Sequence, residues 1–364
     1  MDIYLLAPNY CWHTEDLMKL SLYSGDFNYI FIADTAPFLS RKVFKKYFTK
    51  LKISYEFVQR IWRIIFCIPW GIYVGIRLSN SKFVHCHGLF ALLLSHIALI
   101  PCSRIIFTPQ GSDLLVLPDK YLFIRKFLNK KLFKLKFITA DSNNLLQKAV
   151  EICPLIKIQQ LKLIQNGIPL DDIKKLNFNK SVNFKRKIDI CWIRGFGSIY
   201  QFDYFLKLLE FISKITKSEL NIVIIAAYGS LSIPKKIYKL PNLNITLMPR
   251  LNKDQFLKCL SESKVVLSIP LSDSSPRSVY ESIALGCKLF VTNLNCFDWL
   301  PKNLKSEFIF STSIIKEDSK ELLKAVSNFK DIKDLNSLNI KYPNFFSSLD
   351  YTNIAKSYAK IFKK

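Results

Sequence analysis

The sequence predicts an α/β protein made of two doubly wound domains. Short apolar runs recur along all 364 residues, and helix-period stretches separate them, the order that a parallel sheet with crossover helices requires. The runs form two series of six, with the polar, weakly periodic stretch 170–187 between them. Half of the residues are apolar, enough for two cores in a chain of this length.

The first series is expected at Ile3–Ala7, Tyr29–Ala33, Phe83–His85, Arg104–Thr108, Phe137–Ala140 and Leu163–Gln165. The second is expected at Ile188–Ile193, Asn221–Ala226, Asn244–Leu247, Val265–Ile269, Lys288–Thr292 and Phe308–Phe310. The expected domains are 1–170 and 187–347, followed by a helix over 348–364. Glycine is scarce, ten in all, against an average near 7%. Gly88, Gly111, Gly167, Gly195, Gly229 and Gly286 stand at strand or helix ends, where positive φ or close backbone approach is needed.

The charge is extreme, with 53 Lys and Arg against 28 Asp and Glu, a net +25. Such a surface favours acidic lipid, nucleic acid or phosphorylated substrates. Abundant Ile, Asn and Phe beside the lysines mark part of this excess as compositional. No nucleic-acid-binding module is recognisable, so nucleic acid is not expected as a partner. Nine scattered cysteines without a Cys-x-x-Cys pair fit a reducing compartment, and Met1–Ala7 reads as a first strand, not a secretory signal.

Two segments combine bases with aromatics. Over 41–66, Phe44, Phe48, Leu51, Tyr55, Val58, Trp62 and Ile65 form a helical stripe among Arg41, Lys42, Lys45, Lys46, Lys50, Lys52, Arg60 and Arg63. The second segment spans 120–136. Each reads either as a core helix with a solvated basic face or as a surface that docks on an anionic membrane. The apolar run Ile64–Ile76 is too short to span a bilayer and is interrupted by Pro69.

The most informative stretch is Ser272–Gly286. The run from Lys264 to Pro270 reads as a buried strand, and a helix is expected from Pro276 onward. Backbone N–H groups at such a helix start can hold a diphosphate. Asp273 and Glu281 stand eight apart, and a carboxylate one turn into the helix can accept from ribose hydroxyls. This arrangement suits a sugar nucleotide.

Taken together, the motifs resemble the retaining glycosyltransferases of family 4, which have the GT-B fold. In order they are His85-Cys-His87-Gly88, Thr108-Pro-Gln-Gly-Ser-Asp113, Ala140-Asp-Ser142, Gln165-Asn-Gly-Ile168, Ile193-Arg194-Gly195, Ser272–Gly286 and Asp350–Tyr358. The resemblance covers nearly the whole chain and implies two Rossmann-like domains facing a central cleft. It implies that Arg194, Asp273 and Glu281 carry catalysis. Arg194 would face the donor diphosphate, with Pro276, Arg277 and the amides near Ser278 and Val279 around the same phosphates. Glu281 would hold the ribose, Asp273 the transferred sugar and Arg250 the base. On the acceptor side it points to His13, His87, Gln110 and Asp113. Asn166-Gly167 would be the interdomain hinge, and the final helix, from about Tyr351, would cross back onto the first domain.

The chain departs from the family pattern in several places. Asp273 replaces the usual Glu, Tyr200 stands near a common lysine position, with Asp203 matching a subset pattern, and Gln110 stands where a histidine is frequent. Pro8–His13 replaces a glycine-rich loop. These departures motivate an alternative, a catalytically silent protein of this fold that binds a transferase partner.

Other readings are weaker. Gly195-Phe-Gly197 half-matches a dinucleotide fingerprint, but Tyr200 occupies the third glycine position and no acid ends the next strand. His85 and His87 are expected on opposite faces, one buried and one lining the cleft, without a third metal ligand. His13 reads as a loop residue unless the acceptor uses it. No Asp-x-Asp occurs, so neither a metal nor a cofactor is expected. The expected activity is transfer of a sugar from a nucleotide diphosphate donor, UDP-linked, to a lipid-linked glycan at the inner face of a bacterial membrane, in surface polysaccharide synthesis.

Overall fold

The computed structural model describes residues 1–8, 12–34, 55–178, 185–226, 233–330 and 335–363. The chain folds as two compact units, Met1–Asn166 with Tyr351–Lys364, and Gly167–Asp350.

The first unit contains β1 (Asp2–Ala7), β2 (Asn28–Ala33), β3 (Val84–His87), β4 (Ile105–Thr108), β5 (Phe137–Ala140) and β6 (Leu161–Leu163). All six pair in parallel, in the order β2-β1-β3-β4-β5-β6. The second unit contains β7 (Ile188–Trp192), β8 (Leu220–Ile225), β9 (Leu243–Met248), β10 (Ser263–Ser268), β11 (Lys288–Val291) and β12 (Ile309–Phe310). These also run parallel, in the order β12-β11-β10-β7-β8-β9.

Every expected strand is present, so the α/β doubly wound class holds for both units. The largest shift is at β6, expected at Leu163–Gln165 and found at Leu161–Leu163. Among the described residues it is an edge strand paired with β5 alone, and its Lys162 broke the apolar signal.

Strand order fixes where ligands bind. In the second sheet β7 and β10 are neighbours from which the chain winds outward in opposite directions. The crevice at the carboxyl ends of such a pair is the binding place of open α/β sheets. Residues 193–195 follow β7 and residues 269–276 follow β10, so the sequence motifs land at this point. In the first sheet the corresponding pair is β1 and β3.

One face of the first sheet is covered by helices Tyr55–Leu78, Leu89–Ile97, Leu122–Leu132 and Asn143–Ile152, which contribute Val74, Leu94, Leu128 and Leu145 to the core. The other face packs against helices Trp12–Ser24 and Tyr351–Phe362 through Leu20, Ile354, Tyr358 and Phe362. The second core centres on Trp192, Phe205, Leu209 and Ile224.

Four local readings are corrected. His85 and His87 share a face, because side chains two apart on a strand project the same way. Both are buried, while Val84 and Cys86 face the opposite layer. The helix Tyr55–Leu78 runs through Pro69, and its later turns pack on Leu89–Ile97, where Gly71 faces Ile97. The boundary stretch 170–187, expected to be weakly periodic, carries the helix Leu170–Phe178, whose Ile173 is buried. His13 lies in the first turn of helix Trp12–Ser24 instead of a loop, because the helix begins at Trp12; its side chain lies outside the described residues. Residues 41–54 and Gly229 also lie outside them, as do the side chains of 55–65. In the segment 120–136, Leu128 and Leu132 are core, while Leu122 and Phe123 remain exposed beside Lys126 and Lys130.

Candidate active site

β7 is buried throughout, and Trp192 at its end donates from Nε1 to the Arg194 carbonyl at 2.7 Å. This bond sets the turn by which the chain leaves the sheet. Arg194 Nε then donates to Ser268 Oγ at 2.7 Å, and Nη2 lies 2.8 Å from Asp273 Oδ2. The guanidinium thus spans the ends of the two central strands. The following loops are tied as well: Leu271 N donates to Ile199 O at 2.7 Å, and Gln201 Nε2 to Ile269 O at 2.8 Å.

Beyond Asp273 the chain enters the helix Arg277–Ala284, with buried Pro276 immediately before it. The helix is stopped by Gly286, whose φ of +74° suits glycine best. Asp273 Oδ1 accepts from Ser274 N at 2.8 Å. At the helix start, Arg277 N donates to Ser275 O at 2.9 Å and Val279 N to Pro276 O at 2.8 Å, with Ser278 between them. The Arg277 and Val279 amides are thus engaged within the turn. The Ser275 hydroxyl is buried beside this start without a hydrogen-bond partner among the described residues.

Glu281 lies one turn further and is only 1% exposed. Its Oε1 is ion-paired with Lys253 Nζ. Lys253 opens the helix Lys253–Ser261, which Asn252 and Gln255 cap reciprocally: Asn252 Oδ1 accepts from Gln255 N at 2.9 Å, and Gln255 Oε1 from Asn252 N at 3.2 Å. Arg250 is exposed on the short connection between β9 and this helix.

The first unit brings together other expected residues. Asp113 Oδ2 accepts from Leu89 N at 2.9 Å and Gln110 N at 2.8 Å, joining the loops after β3 and β4. Burial pushes its carboxyl up to about 6, against the pull of these two bonds. Gly88, at φ +93°, packs beside Gln110 and Asp113. His87 is buried one residue earlier, and burial lowers its imidazole to about 4. Among the described residues no cluster of three metal-ligating side chains occurs.

No protein-family model matches the chain, and no curated protein matches its sequence. Solved structures match its whole length. A glycosyltransferase from Rickettsia africae ESF-5 gives a TM-score of 0.67 at 13% identity, over 100% of this chain and 97% of that one. HepE of Anabaena, in complex with UDP-glucose, gives 0.66 at 11%, over 99% and 100%. A UDP-forming α,α-trehalose-phosphate synthase from Burkholderia vietnamiensis gives 0.67 at 9%, over 100% and 99%. This is the GT-B fold.

Within this GT-B chain, Arg194, Asp273, Pro276, Arg277, Ser278, Val279 and Glu281 gather at one switch point of the second unit. Arg250 follows β9, an edge strand separated from β7 by β8. His87, Gln110 and Asp113 belong to the first unit. Two residues escaped the sequence reading. Ser275 was one small polar residue among several. Lys253 was signalled only by the capping pair Asn252 and Gln255, which fixes a helix start but not a partner 28 residues away.

Proposed function

We propose that this chain is a retaining glycosyltransferase that moves a sugar from a UDP-sugar to a lipid-linked glycan in bacterial surface polysaccharide synthesis. The observation that carries this reading is Arg194 bridging Ser268 and Asp273 at the β7–β10 switch point, beside the start of the helix that bears Glu281. A fixed guanidinium next to a helix N-terminus suits a diphosphate. The UDP-glucose complex of HepE and the UDP-forming synthase support uridine as the base.

In this reading the diphosphate meets Arg194, Arg277, the Ser278 amide and the Ser275 hydroxyl. Glu281 accepts from the ribose, Arg250 meets the base and Asp273 orients the sugar. The acceptor is met by His87, Gln110 and Asp113 of the first unit, with His13. Transfer proceeds by front-face displacement. The bond from the anomeric carbon to the phosphate oxygen breaks, the acceptor oxygen bonds on the same face, and the leaving phosphate oxygen takes the acceptor proton. Arg194 and the helix start stabilise the departing charge, and alignment of donor and acceptor supplies the rest.

Membrane contact is part of the proposal. The net charge of +25, with exposed Leu122 and Phe123 (65% and 71%) beside Lys126 and Lys130, supports docking on an anionic inner leaflet. No helix among the described residues is long and apolar enough to cross a membrane. Flotation with vesicles containing anionic lipid tests this; binding unchanged by Lys126→Glu with Lys130→Glu contradicts the surface. The transfer itself is tested by NMR of the glycosidic product. An α-linked donor yields an α-linked product in this reading, and a β-linked product contradicts retention.

A further inference from the structure

We propose that Lys253 is a positioning residue of the ribose subsite and acts through Glu281. The inference rests on the donor reading above. Glu281 is 1% exposed, and an ionised carboxylate so buried requires a partner. Lys253 Nζ provides one, at Oε1. The lysine stem is aimed by its backbone: Lys253 is the first residue of a capped helix whose Phe256, Leu257 and Leu260 are buried.

The geometry gives the pair a task beyond neutralisation. A carboxylate accepts about four hydrogen bonds over its two oxygens, and a ribose diol needs two of them. An ammonium fixed on Oε1 sets the rotation of the carboxylate plane and thereby which lone pairs remain for the diol. Lys253 also follows Arg250 by three residues, so the pair ties the base-side connection to the ribose carboxylate. This lysine therefore links recognition of the base to recognition of the sugar of the nucleoside.

A pair that merely staples two helices would behave differently. Its loss would weaken every nucleotide alike. Loss of a positioning residue weakens ligands in proportion to what they ask of Glu281. Calorimetric titration of the full chain with UDP and with 2′-deoxy-UDP separates the two cases. The wild type binds UDP about tenfold more tightly than 2′-deoxy-UDP, the range of a hydrogen bond to a charged group. In Lys253→Met this ratio falls to near one, and Lys253→Arg restores most of it. In a Glu281→Gln background, where the ratio is already near one, Lys253→Met changes it no further. If Lys253→Met unfolds, Lys253→Gln, which keeps a neutral donor near Glu281, gives the same readout. A wild-type ratio in the neutral variant, with both affinities reduced equally, overturns the inference and leaves the donor reading standing. A wild-type chain that binds no UDP overturns the donor reading itself, before any substitution is made.

Discussion

Arg194 Nη2 lies 2.8 Å from Asp273 Oδ2, and this pair joins the end of β7 to the loop that follows β10. The two side chains are 14% and 17% exposed, so the contact is sheltered but open to a ligand. The proposed roles of the two residues differ, since Arg194 serves the diphosphate and Asp273 the sugar. Arg194→Gln is expected to lower kcat/KM by about 10²–10³-fold, the scale for losing a donor aimed at developing charge, and to weaken UDP binding. Asp273→Asn is expected to lower kcat while UDP, which lacks the sugar, still binds. Steady-state kinetics beside UDP titration checks both.

Ser275 provides a cleaner separation of stability from function. Its hydroxyl is buried without a partner among the described residues, so removal strands none of their groups. Ser275→Ala is expected to leave the urea midpoint unchanged or slightly raised, while UDP affinity drops about threefold to tenfold. Equal affinity in the variant would remove Ser275 from the diphosphate site.

The buried histidine of the first sheet makes stability depend on pH. His85 lies between Tyr29 Oη at 2.8 Å and Thr108 Oγ1 at 2.7 Å, beneath the Tyr358 ring. Burial, then neighbouring His87, lowers its imidazole from 6.5 to about 3. The folded value is below the unfolded one, so the neutral ring's contribution is full above pH 6.5 and is lost as pH falls toward 3. Between pH 6 and 4 the wild type is expected to lose about 1.4 kcal/mol per pH unit more than His85→Gln. Asp113, raised to about 6, acts with the opposite sign over pH 3.8 to 6, so the test is the difference between the two proteins in urea unfolding.

Gly88 is needed for its backbone. At φ +93° and ψ 156° it occupies a region almost closed to other residues, while an added Cβ would meet Gln110 and Asp113 only at ordinary contact distances of 3.6 and 3.7 Å. Gly88→Ala is expected to cost about 1–3 kcal/mol, read as a lower urea midpoint. A smaller change would mean that the loop after β3 relaxes without strain.

The strands were legible because parallel strands covered on both faces read as apolar runs. The helix Arg277–Ala284 was legible from Pro276 before it and Gly286 after it. The ion pairs were less so. Arg194 and Asp273 could be assigned to one ligand but not to each other, and Lys253 to neither, because such contacts arise only when the sheet closes. His85 and His87 were misplaced by a misread strand alternation. Pro69 was read as a break, whereas the helix passes through it and packs through Gly71 and Val74 on either side of one turn.

The central claim is tested most directly by nucleotide release from a panel of UDP-, GDP- and ADP-sugars with detergent-solubilised lipid-linked acceptors, beside Glu281→Ala. The account predicts acceptor-dependent release of UDP from one donor, abolished in a Glu281→Ala protein that still folds. No release from any donor, with no binding of any nucleotide sugar, would contradict it and favour the silent protein that serves a transferase partner.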